Sequence, residues 1–158
     1  MKNLTEEQIK EINKQLLHRI PEIQNEENSI VKSQLKEKRE NLLFEISSWW
    51  GGNYPGYSGT IITIDKKLYN YQEEHSFDEN TNKPINFFTQ GNSLNDEDYS
   101  QIIKFIEQKI VPIEYKYQRI YDAGFSILVH YNGINYCIEN DTELYQEAKS
   151  LIKKIVKN

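Results

Sequence analysis

The chain has 158 residues, 37% of them hydrophobic and 27% charged, with a formal net charge of -5. This length predicts one domain with a real core, spanning residues 1–158, and is too short for two. The single cysteine excludes an intrachain disulfide and a zinc cluster of cysteines. No apolar run approaches the roughly 18 residues of a membrane span, and the polar N-terminus lacks a signal peptide core. We therefore expect a cytoplasmic protein that does not contact membranes.

The negative charge is concentrated in the middle third of the chain. Residues 51–100 carry three basic and eight acidic groups, a balance of -5 that equals the net charge of the whole chain. Such a field repels phosphate backbones and speeds encounter with a basic partner. We therefore expect a basic protein partner and no nucleic acid. The simpler alternative is that these charges serve solubility and helix capping.

The first part of the chain has a helical pattern. Thr5-Glu6-Glu7-Gln8 is a capping box, and the helix that it begins ends at Pro21. A second helix begins after Asn28, and Gly51 ends it in a left-handed cap. The apolar line of this second helix consists of Val31, Leu35, Leu42, Ile46 and Trp49. The spacing thus predicts a helical N-terminal layer over residues 1–50.

Residues 59–140 are predicted to form a sheet with one inserted helix. Residues 60–64 and 68–71 alternate as the strands of a first hairpin, and residues 85–89 form a third strand. The inserted helix begins at Ser93, where a small polar residue precedes acids in the first turn.

Asn132-Gly133 is the best type I′ turn dipeptide and predicts a second hairpin. A two-residue loop there pairs Val129 with Tyr136 and Ile127 with Ile138, which gives one apolar face that needs a covering layer. Residues 141–158 form a C-terminal helix. The predicted class is α+β, an antiparallel sheet of about four to six strands built from hairpins and packed with about four amphipathic helices.

His130 and Cys137 are the best candidates for a nucleophile and its base. In the predicted register His130 lies opposite Asn135 and diagonal to Cys137, about 7–8 Å away at the backbone. Catalysis requires hydrogen-bond reach and an oxyanion site, and no glycine-rich turn or helix start lies at Cys137 to supply one. We therefore expect inert sheet positions and a protein that is not an enzyme.

No motif indicates a metal or a cofactor. His18, His75 and His130 are far apart in the sequence, and none has a second histidine or cysteine at metal-ligand spacing. The acids around His75 do not match a calcium loop. Gly51-Gly52 follows a predicted helix, whereas a phosphate-binding loop precedes one.

The aromatic, glycine-rich stretch at residues 49–59 is the strongest candidate for a binding surface. Trp49 continues the core line, whereas the aromatic residues after it are predicted to be partly exposed. Together with the acids that follow, they have the composition of an interface anchor with a charged rim. The predicted partner-binding residues are Trp50, Tyr54, Tyr57, Glu73, Glu74, Asp78 and Glu79. A small ligand bound beneath this stretch is an alternative.

Two segments resemble small bacterial immunity proteins of toxin–immunity systems. Gly59-Thr60-Ile61-Ile62-Thr63-Ile64-Asp65 with Leu68-Tyr69-Asn70-Tyr71 resembles their first hairpin. The run from Gly133 to Tyr145 resembles their closing strand and helix. The resemblance implies a protein that neutralises a toxin by covering its active site. The alternative is an accessory or regulatory scaffold protein of a phage or mobile element, and a small enzyme is less favoured.

Overall fold

In the part of the chain that the structure describes, six antiparallel strands form one sheet, with helices on both of its faces. The computed structural model describes residues 5–9, 30–51, 55–74, 86–113 and 124–156. The strands are β1 (Leu42–Trp50), β2 (Gly56–Thr63), β3 (Leu68–Glu74), β4 (Phe87–Gln90), β5 (Gly124–Tyr131) and β6 (Ile134–Glu139). Their spatial order is β4-β3-β2-β1-β5-β6, which confirms the α+β class.

Three helices accompany the sheet in the described chain, besides a helical turn at residues 6–9. They are α1 (Ile30–Arg39), α2 (Asp96–Phe105) and α3 (Thr142–Val156), and α2 continues into a π-helical turn, Ile106–Ile110. Among the residues described, no helix is long and apolar enough to cross a membrane. The predicted capping box is confirmed, because Thr5 and Gln8 exchange side-chain to backbone hydrogen bonds.

The second predicted helix, expected to continue from Asn28 to Gly51, is wrong beyond Arg39. The chain turns at Glu40 and Asn41 and then forms β1, a central strand that pairs with β2 and β5. Leu42, Ile46 and Trp49 do have helical spacing, but the residues between them are buried as well, except the half-buried Ser48. A strand covered on both faces reads as a continuous apolar run, which periodicity cannot distinguish from a buried helix. The helical layer predicted for residues 1–50 therefore does not extend over residues 42–50, and Gly51 does not cap a helix.

Both predicted hairpins are confirmed. Asn132 and Gly133 have positive φ angles of 52° and 75°, as a type I′ turn requires. The predicted pairs Val129–Tyr136 and Ile127–Ile138 are both present. In the first hairpin β2 and β3 pair beyond the predicted residues, to the ends of both strands.

The helices divide the core into two layers. One sheet face, here called the helix-pair face, packs on α2 and α3; the other, called the α1 face, packs on α1 and Ile9. The helix-pair layer is built from Leu43, Phe44, Ile46, Ile62, Leu68, Leu94, Ile102, Ile106, Ile110, Ile127, Val129, Tyr136, Ile138, Leu144, Ala148, Ile152 and Ile155. The α1 layer is built from Val31, Leu35, Leu42, Trp49, Tyr57, Ile61, Tyr71, Leu128 and Cys137. Trp49 is buried in the core as predicted, although it lies in a strand.

Candidate functional site

Tyr57 and Glu73, two of the predicted binding residues, are internal. They lie opposite each other on β2 and β3, with 7% and 3% of their surface exposed. The Tyr57 hydroxyl donates a hydrogen bond of 2.5 Å to the Glu73 carboxylate. Strand alternation places Tyr57 on the same face as its β1 partner Trp49, beneath α1. The prediction that Tyr57 is partly exposed is therefore wrong.

Trp50 and Glu74 lie together on the opposite side, on the helix-pair face. Trp50 pairs with Gly56, and Gly56 pairs with Glu74, so the three residues form one row across β1, β2 and β3. The Trp50 indole packs directly over Gly56, where an added Cβ would lie 2.5 Å from the ring. Both Trp50 and Glu74 are half-buried. The other predicted binding residues, Tyr54, Asp78 and Glu79, lie outside the described residues.

The next two rows of the helix-pair face carry neutral polar side chains. Ser48, Ser58 and Gln72 are aligned across β1, β2 and β3, and Thr60 and Asn70 are paired in the adjacent row. We define the open sheet face as Ser48, Trp50, Ser58, Thr60, Asn70, Gln72, Glu74, Phe87 and Thr89. All of these side chains are half-buried or exposed. Apolar residues flank these rows, with Phe87 on β4 and the buried Ile46 on β1. The row beyond them consists of Phe44, Ile62 and Leu68, which belong to the helix-pair layer.

A groove of about 490 Å³ runs over this open sheet face. Tyr145 and Lys149 of α3 form its border on the β1 side. The ring of Tyr145 packs on Phe125 with centroids 4.6 Å apart. Burial raises the pKa of Tyr145, and a hydrogen bond with Ser48 opposes this shift. On the β4 side, Phe87 leaves 37% of its surface exposed.

Hydrogen bonds between neighbouring strands hold polar side chains of the groove in place. Thr60 donates to the Asn70 amide oxygen at 2.8 Å, and the hydroxyls of Ser48 and Ser58 lie 3.3 Å apart. Hydroxyls and amides both donate and accept hydrogen bonds, so such a surface accommodates backbone and side-chain groups of a partner. The sequence does carry a signal for this face, namely polar residues at alternating positions of β2 and β3.

The acids of the middle third do not form one surface in the described structure. Glu73 and Asp98 are buried, and Glu74 borders the open sheet face. Asp96 lies beside the β2–β3 turn, where Lys66 contacts it at 2.7 Å. The hydrogen bond from Lys66 lowers the pKa of Asp96. The negative field predicted from composition is therefore divided between the two ends of the β2–β3 hairpin and partly neutralised.

A second polar cluster lies buried beneath α1. Arg39 donates two hydrogen bonds to Glu45, and the Tyr71 hydroxyl donates a third at 2.6 Å. Burial raises the pKa of Tyr71, and the charge of Glu45 adds to the shift. The adjoining cavity of about 20 Å³, lined in part by Ser47 and Tyr57, has room for one water molecule. This cluster joins α1 to the sheet and has no space for a substrate.

His130 and Cys137 occupy the predicted register positions. His130 is exposed, and its Nδ1 lies 2.5 Å from the amide oxygen of Asn135. Cys137 is fully buried, and burial followed by the charges of Glu139 and Glu45 raises the pKa of its thiol. A protonated, buried thiol is a poor nucleophile. The described residues contain no group of three His, Cys, Asp or Glu that could hold a metal ion.

No protein-family model, curated protein or solved structure matches the chain. The resemblance to immunity proteins therefore rests on the two segments quoted above. In the structure these segments are the β2–β3 hairpin and the β6-to-α3 connection, which lie on opposite halves of the sheet.

Proposed function

We propose that the chain is a small bacterial binding protein of the immunity type, which acts in the cytoplasm. In this proposal it neutralises a toxin by docking the open sheet face over the toxin's active site. The observation that carries the proposal is the position of Trp50 and Glu74 beside an ordered, neutral polar surface that the described helices leave uncovered.

The composition of the open sheet face supports a protein partner. Trp50, Phe87 and Tyr145 provide aromatic side chains around a polar centre, and interfaces concentrate their binding energy in such residues. The face extends from β1 to β4, about 14 Å across four strands spaced about 4.8 Å apart. Side chains on paired strands lose little conformational entropy when a partner docks, because the sheet already positions them.

The acidic residues at the rim of the open sheet face support the proposal that the partner is basic. Glu74 borders the aromatic end, and the predicted binding residues Asp78 and Glu79 follow it in the chain. Acids at the rim of an interface mainly raise the association rate, whereas buried aromatic contacts lower the dissociation rate. A basic toxin domain is therefore the partner that we propose.

Co-expression with the product of the neighbouring gene tests the proposal. We expect the chain to restore growth of cells that express this toxin and to co-purify with it. Gln72→Arg places a long charged side chain in the groove and should abolish rescue. Gln34→Arg is the matched control, because Gln34 is also half-buried but lies on α1, across the sheet from the groove.

Different outcomes would overturn the proposed function and the proposed binding surface. Absence of both rescue and co-purification would overturn the proposed function. If the Gln72→Arg protein rescues growth and the Gln34→Arg protein does not, the toxin binds the α1 face and not the open sheet face. Co-purification without rescue is the result expected of an accessory or regulatory scaffold protein, which is the alternative function.

A further inference from the structure

The outer surface of α2 and α3 carries a groove that is separate from the open sheet face. It is a shallow groove, widely open to solvent, with a volume of about 630 Å³ between the two helices. Its lining consists of Gln101, Lys104, Phe105, Gln108, Lys109, Glu143, Gln146, Glu147, Ser150 and Leu151. Phe105 and Leu151 are half-buried, and most of the polar residues around them are exposed. An apolar centre with a polar rim is the usual anatomy of a protein interface.

The π-helical turn shapes one wall of this groove. In a regular α-helix, residues five positions apart point about 140° away from each other. Lys104 and Lys109 nevertheless both line the groove, because the helix widens after Phe105 and the Val111 amide bonds to the Ile106 carbonyl. Such π-turns are frequent at functional sites.

The two walls of the groove carry opposite charge. The α2 wall contributes Lys104 and Lys109, and the α3 wall contributes Glu143 and Glu147. Lys109 and Glu147 face each other across the groove, with Nζ and Oε2 3.7 Å apart. Their side chains remain 53% and 39% exposed, so both can form further contacts.

We propose that a second copy of this chain docks on the α2–α3 groove and forms a symmetric dimer. A two-fold axis along the groove places the basic wall of each copy against the acidic wall of the other. Lys109 and Glu147 lie at the same height along this axis, because they are in contact within one copy. The axis therefore brings the two ion pairs together as a ring of alternating charges. Two-fold interfaces require this kind of self-complementary surface.

Charge reversal tests the dimer. Sedimentation velocity at micromolar concentration should show a dimer for the full chain and monomers for both Lys109→Glu and Glu147→Lys. An equimolar mixture of the two variants should form a heterodimer, because each contact between the copies then joins opposite charges again. Lys36→Glu serves as the control, since it makes the same charge change on α1 and should leave the dimer intact.

Each result decides the question. A full chain that sediments as a monomer at micromolar concentration would overturn the proposal. A dimer that persists in both single variants, or a mixture of variants that remains monomeric, would also overturn it. Circular dichroism of each variant, with an unchanged helical signal, shows that a loss of dimer is not a loss of fold. The proposal does not depend on the proposed function, because the groove and the open sheet face are different surfaces.

Discussion

The guanidinium of Arg39, the last residue of α1, donates two hydrogen bonds to the Glu45 carboxylate in β1, at 2.9 and 2.8 Å. Glu45 is completely buried, and the Tyr71 hydroxyl donates to it from β3. Burial by itself lowers the pKa of Arg39, but the charge and hydrogen bonds of Glu45 outweigh burial and raise it. The pair thus holds the end of α1 against the centre of the sheet.

Removing one member of this pair should be costly. Arg39→Met leaves the Glu45 carboxylate buried without its ion-pair partner, and the free energy of unfolding should fall by about 3–5 kcal/mol. Urea denaturation measures this change. The double variant Arg39→Met/Glu45→Met removes both charges and should recover most of the loss. A double variant that is less stable than Arg39→Met alone would contradict this account.

The protein should lose stability in alkaline solution. Burial raises the pKa of Cys137 above its ordinary value of 9.0 and that of Tyr71 above 10.0, so the folded chain keeps both protons longer than the unfolded chain. Their contribution is complete below about pH 9 and is lost as pH rises through the raised values. Denaturation series from pH 7 to 11 should show this decline. Cys137→Ala should reduce its slope just above pH 9, and an unchanged slope would exclude the thiol as a cause.

Gly59 should not tolerate a larger residue. A Cβ at this position would overlap the Ile46 carbonyl oxygen and the Tyr71 hydroxyl. Gly59→Ala should therefore lower the free energy of unfolding by about 1–3 kcal/mol, the usual cost of overpacking. Gly91→Ala is the control, because its Cβ would lie 3.3 Å from the tip of the Leu68 side chain, which can move. Equal effects of the two substitutions in thermal melts would show that the structure has room for a methyl group at Gly59.

Tyr57 should contribute to stability and not to partner affinity. Tyr57→Phe removes the hydroxyl that donates to the buried Glu73 carboxylate, at a cost of about 1–3 kcal/mol in the free energy of unfolding. Because Tyr57 lies beneath α1, the dissociation constant of the toxin complex should stay unchanged in calorimetric titrations. Trp50→Ala should weaken the same complex at least tenfold. An equally large affinity loss for Tyr57→Phe would place the interface on the α1 face.

Local turn chemistry allowed several elements to be predicted from the sequence. The register of the second hairpin follows from Asn132-Gly133, because few residues accept the positive φ angles of a type I′ turn. The inserted helix was also predictable, although the residue that caps it is Asn95, which accepts from the Asp98 amide, and not Ser93. These features depend on neighbours in the chain, and therefore the chain alone specifies them.

The candidate site was predictable only in part. Trp50 and Glu74 were identified from composition, and the structure places them in one row of the sheet. Tyr57 and Glu73 were identified by the same reasoning, but each is buried on the other face. Strand alternation assigns a side chain to a face only when the strand and its covering layer are known.

The sequence by itself determined the α+β class, both hairpins and the two helices that pack on one face of the sheet. Only the tertiary structure decided that the aromatic stretch ends a central strand and not a helix. Phe44 pairs with Ile62 on one side and Val129 on the other, partners that lie far away in the chain. This central position favours the strand over the local helical spacing, because α1 covers one face of β1 and α2 and α3 cover the other. The same pairing divides the predicted binding residues between a buried face and an open one.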